Sequence, residues 1–285
     1  MKHIWLLLLI SVITLSNCKN KYPSKKVHEI NFSKNDTLMS CDFIFSNPKQ
    51  DSSLIALKTK YNLDSLTKKL DNDVEKVLYL TNWVHKRWQH DGNHNSGTNN
   101  VLEILQRAEN GENFRCVEYG KVLSACLNSI GIPTRTLGLK TKDVEYTEYN
   151  AGHVVSEAYI KELKKWIFID PQINYVPFHN DIPLNAVEYQ RNIIDKSSSL
   201  KLKDFTGTLN EQKAAEFTKW IGKYLYFFDS KLDNSKTGSS CQNKSYLMLV
   251  PLKSNFPKVF QIKHKMDYLL YTNNLNDFYK APIIQ

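Results

Sequence analysis

Between residues 71 and 169 the chain changes its hydrophobic period once, and that change restricts the architecture more than any other feature. Over residues 71–89, Val74, Val77, Leu78, Leu80, Val84 and Trp88 recur at spacings of three and four. This predicts an amphipathic helix ended by Asp91-Gly92-Asn93. Residues 98–108 repeat the pattern through Val101, Ile104, Leu105 and Ala108, with Gly111 just beyond. Residues 116–130 predict a third helix, stopped by Gly131 and Pro133. Then 134–139, 153–160 and 165–169 are short, alternating or β-branched, and separated by turn residues, which predicts strands. Helices followed by adjacent strands predict an α+β domain, with the helices packed on an antiparallel sheet. After residue 200, a helix over 211–224 and strands over 246–249, 259–262 and 268–271 are expected. They read as an accessory sheet or an extension of the main one. Residues 233–244 are the most loop-like stretch of the body.

The N-terminus reads as an address. Lys2 precedes an apolar run from Ile4 to Leu15, then Ser16-Asn17-Cys18. That is the layout of a signal peptide over 1–17, too short to cross a bilayer core of about 30 Å as a helix with normal flanks. Leu15-Ser16-Asn17-Cys18 resembles a bacterial lipobox, with Asn17 where Gly, Ala or Ser is usual. Cys18 is therefore the expected lipidation site. Residues 18–50 are expected to be the anchor and a flexible tether, the chain a membrane-anchored lipoprotein of the cell envelope, with plain secretion or a periplasmic location as the alternative. Lys and Arg total 38 against 29 Asp and Glu, a formal net charge of +9. The excess is spread thinly, without a block of like charges, so no nucleic-acid partner is expected. The cysteines are Cys18, Cys41, Cys116, Cys126 and Cys241, with no Cys-x-x-Cys. Four scattered cysteines besides Cys18 do not make a disulfide scaffold. Whether Cys41 and Cys241 pair is left open.

Three segments carry chemistry. Phe114-Arg115-Cys116 puts a thiol where a helix begins, and there the helix dipole and unpaired N–H groups favour the thiolate. Gly152-His153 opens a strand, and Asp170-Pro171 closes the next one. A turn near residues 161–164 brings His153 and Asp170 to the same end of a hairpin, on the same face by parity. An imidazole oriented by a carboxylate and facing a helix-start thiol is what thiol acyl transfer requires.

These segments resemble the transglutaminase-like superfamily, a branch of papain-like thiol enzymes. The run from His153 through Glu157, Tyr159 and Trp166 to Asp170-Pro171 is similar to that family's pattern. The resemblance covers roughly residues 74–172, with Val155 where many members have Trp and Phe114-Arg115 where Gly is commoner before the Cys. It implies a papain/transglutaminase-like core over 51–200 with an accessory region over 201–285. By residue, it implies Cys116 as nucleophile, His153 as base and Asp170 as orienting acid. It also implies a side chain upstream of the Cys that binds the oxyanion, for which Trp88 is the candidate ahead of Gln89.

The expected function is acyl transfer on the amide bonds of a peptide or protein. It is read as peptidase- or amidase-like hydrolysis, with a protein crosslinker or a non-catalytic peptide- or glycan-binding envelope module as alternatives. No cofactor and no metal are expected. His85, His90 and His94 are separated by the Asp91-Gly92 break and share no assured face. Cys126 is expected to be core, Glu157 a strand-surface charge, and the aromatics Trp220, Tyr224, Tyr226, Phe227 and Phe228 core. Arg115 and Glu118, flanking the thiol, are read either as tuning it or as a local pair.

Overall fold

Short polar side chains set most of the helix starts in the first half. The computed structural model describes residues 20–36, 38–235, 238 and 240–285, so the signal peptide and Cys18 lie outside the described residues. After a short strand β1 (Ile44–Phe45), Asp51 accepts from the N–H groups of Ser53 and Leu54 and starts α1 (Ser52–Lys60), which α2 (Leu63–Thr67) follows. Asn72 caps α3 (Asp73–His85), and Asn100 caps α4 (Val101–Glu109). The next helix, α5 (Cys116–Ser129), differs. Its N-cap residue Arg115 makes no side-chain cap, so unpaired N–H groups of its first turn remain open.

Strands β2 (Thr134–Lys140), β3 (Gly152–Ile160) and β4 (Lys165–Ile169) then form an antiparallel meander. Two short strands β5 (Val176–His179) and β6 (Ile182–Pro183), helix α6 (Ala186–Ile194) and strands β7 (Leu200–Asp204) and β8 (Gly207–Thr208) follow. These four strands make a separate small sheet, in the order β6-β5-β7-β8. The chain continues through α7 (Glu211–Gly222), β9 (Phe227–Lys231) and β10 (Tyr246–Leu249). A hairpin of β11 (Val259–Phe260) and β12 (His264–Lys265) leads to β13 (Leu269–Thr272), α8 (Leu275–Phe278) and β14 (Ile283–Ile284).

The main sheet has the order β13-β10-β9-β2-β3-β4, antiparallel throughout except for the β10–β13 pair. The fold is α+β with helices packed on a largely antiparallel sheet, as expected from the period change. The segment after residue 200 supplies three strands of this sheet, so it is built as an extension of the core sheet rather than as a second body.

Both faces of the sheet are covered. Side chains alternate along a strand, and Ala158, Ile160, Ile167 and Ile169 pack against Val77, Leu80, Val122 and Leu127 of α3 and α5. On the opposite face Val155, Trp166 and Phe168 pack against Phe43, Phe45, Tyr175 and Tyr189. Gly120 sets how closely α5 lies on β3, since a Cβ there would stand 3.0 Å from Val154 Cγ1 and 3.2 Å from the Val155 carbonyl. Any larger residue would push the helix, and the thiol at its head, off the strand.

Two expectations are corrected. The stretch read as a tether is packed onto the body over its described residues: Ile30, Cys41, Phe43 and Phe45 are buried, and β1 pairs in parallel with β14. Its polar composition hides an alternation of apolar residues, Cys41-Asp42-Phe43-Ile44-Phe45, that finds a partner only at the far end of the chain. Cys41 is disulfide-bonded to Cys241, which settles the open pairing. Glu157 is not a surface charge. It is fully buried, because its face of β3 is covered by the second layer, and it accepts a 2.7 Å bond from Arg135 Nη2. The Arg135 guanidinium lies 4.3–4.4 Å from the rings of Trp166, Phe43 and Phe278. This pair ties the sheet to both ends of the chain.

Candidate active site

The register of the β3–β4 hairpin does what the parity argument requires. Ser156 pairs with Ile169, so Asp170 falls opposite Val155, diagonally next to His153 on the same face. The His153 Nε2 lies 2.9 Å from Asp170 Oδ2. Asp170 is itself held: its Oδ1 accepts from the N–H groups of Gln172 at 3.0 Å and Ile173 at 3.1 Å. This turn follows from Asp before Pro171 at a strand end. The carboxylate is fully buried and its ring partner is 4 % exposed.

Cys116 is the first residue of α5, half-buried, at the edge of the same strand. Burial alone would raise its thiol. The hydrogen bond and charge of His153, together with a hydrogen bond from the Val154 backbone N–H, outweigh burial and set it below its ordinary value. The imidazole is shifted the other way. Burial disfavours its charged form, but the Asp170 charge and hydrogen bond, joined by Cys116, raise it to about 10. Since Nε2 serves Asp170, Nδ1 is the nitrogen left for the sulfur. The arrangement favours a thiolate–imidazolium pair over the neutral thiol and imidazole, with the proton held one hydrogen bond from the sulfur.

The three residues singled out in the sequence therefore converge. Cys126, on the same helix, does not join them. It is fully buried and its thiol is pushed up to about 12 by burial, in keeping with a core residue. Arg115 and Glu118 form a pair, Nε to Oε2 at 3.5 Å, while Glu118 Oε1 accepts from the Ser96 hydroxyl at 2.9 Å. Trp88 is 7 % exposed, wedged against Tyr119 at 4.4 Å and Phe114 at 5.7 Å between ring centroids. Its carbonyl accepts from the Tyr119 hydroxyl at 2.7 Å, yet its indole Nε1–H is buried without a partner. It is thus both a core anchor and a free donor. Gln89 is exposed, its backbone N–H donating to Asn113 Oδ1.

The residues that sequence reasoning did not bring to the site are Trp220 and Tyr224. Trp220 meets the His153 ring edge-on at 4.8 Å, and Tyr224 lies at 5.9 Å. They come from α7 and the turn after it, and they seal the imidazole from solvent on the side away from α5. The sequence showed an aromatic cluster there, but nothing in its spacing points to His153. Of the three histidines considered for metal, His85 Nδ1 lies 2.9 Å from the Gln172 carbonyl and His94 Nδ1 lies 2.7 Å from the Asn113 carbonyl. Among the described residues no group of three or more His, Cys, Asp or Glu is placed to hold a metal.

Helix-start thiol, strand-borne imidazole and strand-end carboxylate make up a thiol–imidazole–carboxylate cluster on an α+β fold. The family model of the Transglutaminase-like superfamily matches residues 62–171, a span that contains Cys116, His153 and Asp170, and this segment is a transglutaminase-like domain. Trp220 and Tyr224 lie outside it. Two solved structures are similar. One is described as "a Putative Cysteine Protease" from Cytophaga hutchinsonii, at 16% identity and a TM-score of 0.33, over 57% of this chain and 55% of that one. The other is described as "a putative protease" from Parabacteroides distasonis, at the same identity and TM-score, over 57% of this chain and 28% of that one. The match thus spans little more than half of the first of these proteins and about a quarter of the second. No curated protein matches the chain.

Proposed function

We propose that this chain is a thiol-dependent enzyme that cleaves amide bonds of a peptide or protein. What carries the reading is the hydrogen-bonded run from the Cys116 thiol through His153 to Asp170, with the thiol lowered and the imidazole raised. The Cys116 thiolate attacks the carbonyl carbon. The backbone N–H at the head of α5 and the free Trp88 Nε1–H receive the developing oxyanion. His153 gives its proton to the departing nitrogen as the C–N bond breaks, leaving a thioester. Water then attacks that carbonyl, His153 takes its proton, and the C–S bond breaks to release the acid and the thiolate. Asp170 holds the ring in place and favours its charged form throughout.

Export with lipid anchoring at Cys18 belongs to the same proposal. The Cys41–Cys241 disulfide supports an oxidising compartment. The test is labelling with iodoacetamide, read by mass spectrometry, alongside a peptide-library cleavage screen. Wild type is expected to label at Cys116 and to cleave, and Cys116→Ala to do neither. Labelling or cleavage that survives Cys116→Ala but is lost with Cys126→Ala overturns the assignment.

A further inference from the structure

A cavity of about 810 Å³ opens between the end of α3 and the start of α5. Cys116, His153 and Asp170 do not line it, but two of its wall residues are their neighbours. Gln172, in its wall, donates its backbone N–H to Asp170, and Tyr119, also in its wall, stands one turn along α5 from Cys116. His90 lines it too, close enough to the triad that the His153 charge adds to burial in lowering its value.

Three features of the walls point to a ligand. The Trp88 indole N–H, on a residue more than nine-tenths buried, has no acceptor. Gln172 Oε1, a buried atom on another lining residue, has no donor. An unmet donor and an unmet acceptor on residues lining one space are the complement of a peptide amide, and each is costly to leave unmade. The third feature is charge. The ionic residues of the wall are Lys86 and Arg87, with His85 and His90 beside them and no Asp or Glu. Among the described residues neither Lys86 nor Arg87 enters an ion pair. Arg87 is steadied over the Trp83 ring at 4.2 Å, its Nε donating to the Trp83 carbonyl at 3.1 Å, which keeps the guanidinium in place without neutralising it.

We propose that this cavity is the substrate subsite for an acidic peptide. The scissile carbonyl sits at Trp88 Nε1, a neighbouring peptide N–H donates to Gln172 Oε1, and a carboxylate beside the scissile bond is met by Lys86 and Arg87. The inference rests on the thiol reading above and adds the substrate class to it. Lysine and arginine left unpaired in a concave wall also raise the local concentration of anions.

Two thiol probes of equal shape test it without knowledge of the natural substrate: bromoacetyl-glutamate amide and bromoacetyl-glutamine amide. Their rates of alkylating Cys116 are compared by mass spectrometry within each variant. Wild type is expected to react with the glutamate probe about two- to fivefold faster, the range that one exposed ion pair is worth. The ratio should shrink with added salt. It should fall to one in Lys86→Gln/Arg87→Gln and to an intermediate value in Lys86→Gln, which keeps the stacked Arg87 and guards against a folding defect in the double variant. A wild-type ratio of one, or a raised ratio that both variants retain, overturns this inference and leaves the thiol reading standing. If neither probe alkylates Cys116, both are overturned.

Discussion

Replacing Asp170 by asparagine tests the physical core of the site at nearly constant volume. In the wild type the imidazole rises from 6.5 to about 10 although burial alone would lower it, and the first of the opposing causes is the Asp170 charge. That rise is worth about 5 kcal/mol in favour of the imidazolium. In Asp170→Asn the new side chain keeps a carbonyl oxygen for the Gln172 and Ile173 N–H groups, so the turn should survive. Its amide then donates to His153 Nε2, which favours the neutral ring, and burial acts with only Cys116 to oppose it. With the ring neutral, the thiol loses its largest stabilising partner and should move up by about 1–3 pH units, the range for losing one close opposite charge. At neutral pH the iodoacetamide rate at Cys116 should therefore fall on the order of a hundredfold.

The pH dependence carries a sign that can be checked separately. A group raised on folding stabilises in full below its unfolded value and loses that contribution as pH climbs through its folded value. The His153 contribution to wild-type stability is lost between 6.5 and about 10, offset in part by the lowered Cys116 thiol, which gains with pH up to its unfolded value, and Asp170→Asn should lack the His153 part of this dependence. The thiolate–imidazolium pair, titrating as a coupled unit, gives labelling that rises through the lowered thiol value and stays high above it in wild type, since loss of the imidazolium proton leaves the thiolate ionised. Labelling and melting profiles that superimpose for variant and wild type would refute the assignment of Asp170 as the charge that holds His153.

Three further outcomes are expected. Cys41→Ser, or reduction of the disulfide, should lower stability by up to about 5 kcal/mol, since the bond spans a sequence separation of 200; the shift in denaturant midpoint measures it, and an unchanged midpoint counts against it. Arg135→Met strands the buried Glu157 carboxylate and should cost about 3–5 kcal/mol, much of it recovered by adding Glu157→Leu; a double variant no more stable than the single one would show that the cost is not the unpaired charge. A chain ended at residue 200 loses β9, β10 and β13, half of the six-stranded sheet, along with Trp220; it should be insoluble or molten by near-ultraviolet circular dichroism, and a cooperative melt would contradict the shared core.

Much of this protein was legible in residues close together along the chain. The Lys165–Ile169 strand, the start of α5 at Cys116 and the 246–249 strand stand where the pattern put them, because hydrophobic period and turn chemistry are local. The His153–Asp170 contact was legible for a related reason. His153 and Asp170 lie on one hairpin, so parity and turn position alone nearly dictate their meeting.

What the tertiary structure alone decided involves partners far apart in sequence. Residues 227–231 read as part of an aromatic tail and are a strand, because the exposed edge of β2 supplies the hydrogen bonds. A polar-looking N-terminal stretch became a strap because β14 and the Cys241 loop lay ready to receive it. Trp220 closes over His153 only once α7 has packed against the sheet. Local patterns state which face of an element is apolar. Which distant surface covers that face depends on three-dimensional complementarity, and no window along the chain contains it.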